Sequence, residues 1–128
     1  SQFVAGFIGK VNALPAEVIR VDRDEVTASF GATNFTVCRP NMSIAVGQRV
    51  SLLIRPESVD LSSEPDGPAP EGRIVQVTYL GEKAEYDIEC SGAQLKAVSF
   101  DPARHGMFAQ GEDVYLHMQG GSMILTDQ

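Results

Sequence analysis

The sequence predicts an all-β fold in which two copies of one strand pattern form a duplicated small barrel. Three observations carry this prediction. Short segments of alternating or β-branched residues recur along the whole chain, turn residues separate them, and a pattern in the first half returns in the second. The 12 glycines and 7 prolines among 128 residues also oppose long helices.

Eight strands are expected from period-two alternation and β-branched content. They are Val18–Val21, Val26–Phe30, Phe35–Cys38 and Val50–Ile54 in the first half, and Ile74–Tyr79, Glu85–Glu89, Leu95–Val98 and Val114–Met118 in the second. Turn chemistry lies between them, at Asp22–Asp24, Gly31–Asn34, Gly81–Lys83 and Ser91–Gly92. Short strands at this spacing are typical of a sandwich or a barrel.

The repeat is most evident at the end of each half. The pattern Gly-x-x-Val-x-Leu-x-Ile-x-x-x-Ser-Val-x-Leu-Ser, which begins at Gly47, returns from Gly111 as Gly-x-x-Val-x-Leu-x-Met-x-x-x-Ser-Met-x-Leu-Thr. The matched residues are mainly alternate apolar ones, which indicates one buried strand face. Each half alone is near the lower limit of independent stability. We therefore expect the halves to pack together, with strand exchange as one route, and to fold as one unit.

Two segments depart from the strand pattern. Phe3, Val4, Phe7 and Ile8 share one helical face, which predicts a short helix that ends at Gly9. The Pro-rich loop 62–71 is unsuited to a central strand. It joins two half-repeats, at about 16–62 and 72–126.

Charge and cysteine content narrow the function classes. The formal net charge is −7, which argues against nucleic acid and anionic membranes as partners. The longest apolar runs are far shorter than the roughly 20 residues of a membrane span. We expect no membrane insertion, and no signal peptide is apparent. Cys38 and Cys90 are expected to be reduced core thiols of a cytoplasmic chain, with a single structural disulfide left open.

Residues suited to catalysis are sparse, so a binding or regulatory module is expected rather than an enzyme. His105 lies in a predicted turn and His117 should face away from the core, and neither has metal-ligand or nucleophile spacing. The segment Gly6–Lys10 fails as a phosphate loop because its first glycine and its hydroxyl residue are missing. Most carboxylates lie in turns or on alternate strand positions, which indicates a solvated face.

Two local sequence elements are candidates for a specific structural or binding role. Arg55-Pro56-Glu57 ends the most apolar strand, where the proline stops the ladder and the two charges predict either an ion pair or contact with a partner. Asn12 is suited to capping a turn or to docking a neighbouring domain.

These elements occur in an order that resembles the C-terminal regulatory region of ATP-binding subunits of bacterial ABC importers. The branch includes the maltose, glycerol-phosphate, polyamine and ferric-iron systems, and the region is the TOBE domain, an OB-like barrel of duplicated strands. The resemblance rests on Phe3–Gly9 followed by Asn12, then Ile54–Glu57, then Val77-x-Tyr79-Leu80-Gly81. It covers essentially the whole chain.

The resemblance implies the domain organisation, the cofactors and the partners of the parent protein. Residues 1–15 would be the tail of a nucleotide-binding domain and a connector, and 16–128 the TOBE region. ATP and Mg would bind the nucleotide-binding domain, with no cofactor in this fragment. A second copy of the subunit, the nucleotide-binding domain and, through the parent, the membrane subunits would be the partners. The protein would lie in the cytoplasm, peripheral to the inner face of the bacterial inner membrane.

The same resemblance marks candidate interface residues at family motif positions. They are Asn12, Arg55, Pro56, Glu57, Tyr79 and Gly81. The chain departs from the family at Ser58, where relatives often have His, so no role is carried over to that position.

Two other functions stay open at this point. One is a free-standing oxyanion-binding module of the molybdate kind, since related domains bind oxyanions. The other is an OB-fold nucleic-acid binder, which the charge and the absence of interleaved aromatic and basic residues disfavour. The transported solute is unspecified, with a lean toward polyamine systems from the V-x-Y-L-G pattern.

Overall fold

The computed structural model describes residues 10–128, so the helix predicted over Phe3–Ile8 lies outside the described part of the chain. The described residues form ten strands, one helical turn and two 3-10 turns. The strands are β1 (Asn12–Val21), β2 (Glu25–Phe30), β3 (Thr33–Cys38), β4 (Arg49–Ile54), β5 (Asp60–Ser62), β6 (Glu71–Leu80), β7 (Lys83–Cys90), β8 (Ala93–Phe100), β9 (Asp113–His117) and β10 (Ile124–Asp127). The helix α1 is Pro102–His105, and the 3-10 turns are Pro56–Ser58 and Gly120–Ser122.

The strands form two five-stranded antiparallel sheets, each in its own compact unit. The first unit comprises residues up to Arg55 together with Gln119–Gln128, and its sheet has the order β10-β4-β1-β2-β3. The second unit, Pro56–Met118, has the order β5-β9-β6-β7-β8. The all-β, duplicated architecture predicted from the sequence is confirmed.

The two halves of the sequence exchange their last strands. β5 belongs to the first half but pairs with β9, with Leu61 opposite Leu116. β10 belongs to the second half but pairs with β4, with Leu125 opposite Leu52. Neither half can therefore complete its sheet from its own residues, and the halves are joined by the predicted strand exchange.

The duplication extends to individual backbone bonds. Gly47 and Gly111 both adopt a positive φ, of 91° and 87°. The Gly47 N–H donates to the carbonyl of Val18, and the Gly111 N–H donates to that of Ile74, both at 2.8 Å. A side chain with a Cβ is strained at such a φ, which explains why glycine occupies both positions.

Bulges and turn contacts repeat as well. The β1–β2 register shifts around Ile19, and the β6–β7 register shifts around Val75, 56 residues later. In the turns before β4 and β9, the side chains of Gln48 and Glu112 each accept a hydrogen bond, at 3.0 Å, from the backbone N–H three residues earlier. Matched irregularities of this kind are features of a fold that was duplicated as a whole.

Alternate residues of each strand form the two cores. Burial follows period two, for example in β1 and β7. The residues with at most 1% of their surface exposed include Leu14, Val18, Val26, Ala28, Phe30, Val50, Leu52 and Ile54 in the first unit, and Ile74, Ala84, Tyr86, Ile88, Val114 and Leu116 in the second.

Most strands are longer than predicted, so Thr33, Asn34 and Lys83 lie in strands rather than in the predicted turns. Three further differences concern single elements. β5 and β10 have three and four residues, too few for a periodicity signal, and are defined by distant partners. Met118 follows β9 rather than ending it. β1 contains Pro15, which is tolerated because pairing with β2 begins only at Glu17.

The two cysteines have different environments. Both are free; Cys90 is buried as expected, whereas Cys38, on the alternate face of the edge strand β3, is exposed. The core assignment of Cys38 was therefore wrong. Burial raises the pKa of the Cys90 thiol, an effect partly offset by a hydrogen bond with Ser91.

This contrast predicts selective alkylation. With iodoacetamide at pH 8, Cys38 should react at least about a hundredfold faster than Cys90, because Cys90 lacks access and has little thiolate. Mass spectrometry of timed digests measures both rates, and urea-unfolded protein is the control in which they should converge. Equal rates in the native protein would contradict the burial of Cys90.

Candidate functional site

The Arg55-Pro56-Glu57 element lies where the chain passes from the first unit to the second. Arg55 is the last residue of the first unit. Pro56 is buried in the 3-10 turn, whereas Arg55 and Glu57 are exposed. Over residues 10–128, no ion pair joins Arg55 to Glu57.

Asn12 lies in the interior of the first unit. It is the first residue of β1, pairs with Ile54 of β4 and has 5% of its surface exposed. The register thus places it beside the end of the strand that leads into Arg55.

A cavity of about 400 Å³ in the second unit lies beside the Pro56–Ser58 turn. We call it the turn cavity. Its lining includes Glu57, Asp60, Tyr86, Phe100, His105 and Phe108. Of these residues, only Glu57 was a predicted site residue, because β5, β7, β8, α1 and the segment after α1 bring the others together from distant positions.

Tyr86 fixes one wall of the turn cavity. Its side chain is fully buried on β7. Its ring meets that of Phe108 edge to face, with centroids 5.8 Å apart and planes at 73°. The Phe108 N–H donates to the Tyr86 hydroxyl at 3.3 Å. The tyrosine thus fastens the segment that follows α1 to the sheet.

The carboxylates of the turn cavity are specific to the second unit. At the matching positions 64 residues later, the first unit has Gly121 and Ile124 in place of Glu57 and Asp60. The fold therefore does not require acids there. The residues that line the turn cavity include two carboxylates and no Lys or Arg, an arrangement that repels an oxyanion.

The other predicted residues, Tyr79 and Gly81, lie at the far end of the β6–β7 hairpin. Gly81 has φ of 68° and opens a two-residue turn with Glu82, the position and sign that a type II′ turn requires. Equivalent residues of the two halves are 56 positions apart before this hairpin and 60 positions apart after it. The β6–β7 hairpin is therefore four residues longer than the β1–β2 hairpin. Tyr79 and Leu80 are 54% and 47% exposed.

Charge is divided unequally between the units. The second unit contains twelve of the acidic and four of the basic residues, a formal charge of −8, whereas the first has five and six, or +1. One local compensation is Lys96, whose Nζ lies 2.6 Å from Asp87 and 3.1 Å from Glu85. These bonds, that to Asp87 first, raise the pKa of Lys96.

None of the helical segments within residues 10–128 has the length and apolar character that crossing a lipid bilayer would require.

The fold, the duplicated turns and the motif residues together define a known class of domain. Residues 52–125 match the TOBE domain model. The chain belongs to the TOBE domain family.

Its curated relatives are ATP-binding subunits of ABC importers. It is 29% identical over 136 residues to the spermidine/putrescine import ATP-binding protein of Nitrosomonas eutropha, covering all of this chain and 38% of that protein. Its identity to the same-named protein of Ruegeria pomeroyi is 33%, over 98% of this chain and 34% of that one. The Fe(3+) ions import ATP-binding protein of Brucella abortus is 29% identical, over 100% of this chain and 35% of that protein. The chain thus spans about a third of these relatives.

A solved structure shares the fold. The cytoplasmic molybdate-binding protein ModG, in a form with molybdate bound, superposes with a TM-score of 0.71 over 93% of this chain and 96% of that one. The sequences are 14% identical, so the likeness supports the architecture alone.

Proposed function

We propose that this chain is the non-catalytic C-terminal regulatory domain of an ATP-binding subunit of an ABC solute importer, and that it helps to hold two such subunits together. The observation that carries the proposal is the match of the whole chain to about a third of importer ATP-binding proteins. The parent would hydrolyse ATP, with ATP and Mg bound outside this region.

The exposed motif residues support a role in contacts. Arg55 and Glu57 flank a buried proline at the passage between units, and Tyr79 lies at the end of a lengthened hairpin. We assign these residues to contacts with the nucleotide-binding domain and with the second copy. The membrane subunits would be reached through the parent, at the cytoplasmic face of the inner membrane.

The coding sequence and the parent protein test the proposal. The reading frame upstream of Ser1 should encode a P-loop ATPase. In that parent, Arg55→Ala with Glu57→Ala should weaken subunit dimerisation about tenfold, as expected for lost interface contacts, without changing the melting temperature. Sedimentation equilibrium measures the association.

Glu64→Ala is the matched control, since Glu64 is an exposed acid of the Pro-rich loop. A reading frame that starts at Ser1, or a dimer indifferent to both sets of substitutions, would refute the proposal.

The alternative is a free-standing oxyanion-binding module, which is considered because ModG, a molybdate-binding protein, has the same fold. Calorimetry of the chain with molybdate, tungstate and sulfate separates the two functions. The regulatory domain should give no saturable heat with any of the three anions. Saturable binding of molybdate by the isolated chain would favour the alternative.

The solute is the least constrained part of the proposal. The names of the relatives include spermidine/putrescine and Fe(3+) ions, and the V-x-Y-L-G pattern leans toward the polyamine systems. Other subunits select the cargo, so this domain need not contain a cargo site.

A further inference from the structure

The distal half of β6 has a free backbone edge. On one side β6 pairs with β9, but only over Glu71–Arg73, and two bonds of Ile74 to the turn before β9 end the contact. On the other side β6 pairs with β7 as far as Leu80. Across the described residues 10–128, no strand pairs with positions 75–80 on the side away from β7. We call this the free edge.

The register identifies the backbone groups that the free edge presents. Leu80 and Lys83 flank the two-residue turn and form the closing pair of the hairpin. Pairing in an antiparallel ladder alternates along the strand, so Thr78 bonds toward β7 while Val77 and Tyr79 direct their N–H and C=O groups away from it. These are the donors and acceptors to which an added strand would bond.

A groove of about 410 Å³ runs along these residues. Val77 and Tyr79 form one wall, and Met107, Ala109 and Gln110 lie on the other. Tyr79 and Met107 are 54% and 55% exposed, so two large apolar side chains lie uncovered on opposite walls of the groove. The groove therefore combines an unpaired strand with uncovered apolar surface.

The duplicated unit shows that the fold does not need this edge. The counterpart strand β1 ends at Val21, three residues beyond Val18, whereas β6 continues six residues beyond Ile74. The other sheet edges are short, as in β5 and β10, or are contacted by a 3-10 turn, as in β3 and β8. Proteins normally protect edges in these ways, and the free edge has neither protection.

We propose that the free edge binds an extended segment of another protein as an added strand, with an apolar side chain of that segment between Tyr79 and Met107 and with Lys or Arg beside it. Main-chain bonds to Val77 and Tyr79 would supply the affinity, as in other complexes formed by strand addition. Charge indicates the basic character: the second unit carries −8, and the residues that line the groove include Glu112 and no Lys or Arg. A second copy of the same edge would instead bring two strongly acidic units together.

Amide exchange on the whole chain tests the proposal. The probe is a capped nine-residue peptide of alternating valine and lysine, added to 15N-labelled protein. In free protein the amides of Val77 and Tyr79 should exchange faster than those of Thr78 and Leu80. The peptide should slow exchange at Val77 and Tyr79 by about tenfold or more, as new hydrogen bonds do.

Two matched peptides and one pair of variants provide the controls. The peptide with glutamate in place of lysine, and the lysine peptide N-methylated at alternate residues, should both lose the effect. Val77→Pro should abolish it, because the ring removes an outward N–H, whereas Val21→Pro at the duplicated position should not.

Three results would overturn the proposal. They are unchanged exchange at Val77 and Tyr79, equal protection by the glutamate peptide, and protection that rises with protein concentration in the absence of peptide. The last of these would assign the edge to a second copy. The N-methylated peptide keeps the test decisive if Val77→Pro fails to fold.

Discussion

Gly120→Ala is expected to lower the free energy of unfolding by about 3 kcal/mol, the upper range for overpacking a close contact. A Cβ on Gly120 would overlap the carbonyl oxygen of Thr36 and lie 2.9 Å from its carbonyl carbon. Both atoms belong to the backbone of β3, so no side chain can rotate to relieve the overlap. Backbone conformation is not the obstacle, because Gly120 does not have a positive φ.

The adjacent glycine provides a matched control. A Cβ on Gly121 would meet nothing within 4 Å. Gly121→Ala should therefore change stability by less than about 0.5 kcal/mol, or raise it slightly by restricting the unfolded chain. Urea unfolding of both variants, followed by circular dichroism, measures the difference. Equal stability of the two would mean that β3 can move away from the turn.

The duplicated turn indicates why this contact matters. The counterpart of Gly120 in the Pro56–Ser58 turn is Pro56, whose buried ring packs in the second unit where the turn contacts β8. The same turn thus contacts the edge strand beside it in both units, with glycine at the close approach in the first unit and a buried proline at the matched position in the second. In the first unit it immediately precedes the exchanged strand β10, so displacement of the turn should also disturb the β4–β10 pairing.

Much of this fold could be predicted from local pattern. Strands such as β2 and β7 alternate apolar and polar residues, and that signal survives without knowledge of their neighbours. The recurrence at Gly47 and Gly111 was equally visible, because both positions require a positive φ that glycine adopts readily. β5 and β10 were missed because pairing with strands of the other half defines them.

The candidate site was less predictable for a related reason. Glu57 stood out beside a proline, but Asp60 resembled any other surface acid until the structure placed both at the turn cavity. The lengthened hairpin appeared in the sequence only as a drift of the repeat offset. The added residues of β6 pair with β7 alone, because β9 pairs with β6 only over Glu71–Arg73. No local sequence pattern specifies where that pairing ends.

Tyr86→Ala is expected to lower the free energy of unfolding by about 4 kcal/mol, the usual range for removing a large buried aromatic side chain. Tyr86 is fully buried, and it holds the segment after α1 both by its ring contact with Phe108 and by the hydrogen bond at its hydroxyl. Tyr86→Phe keeps the ring and removes the hydroxyl, so it should cost only about 1 kcal/mol. Thermal and urea unfolding measure both values.

Tyr79→Ala is the control for the same change in residue type at an exposed position, and it should cost less than about 0.5 kcal/mol. The ratio of the two Tyr86 effects then separates packing from hydrogen bonding. If Tyr86→Phe were as damaging as Tyr86→Ala, the Phe108 N–H left without its acceptor would dominate, and the edge-to-face contact would contribute little. If both were mild, the Phe108 segment would be held by other contacts, and the turn cavity should keep its shape without Tyr86.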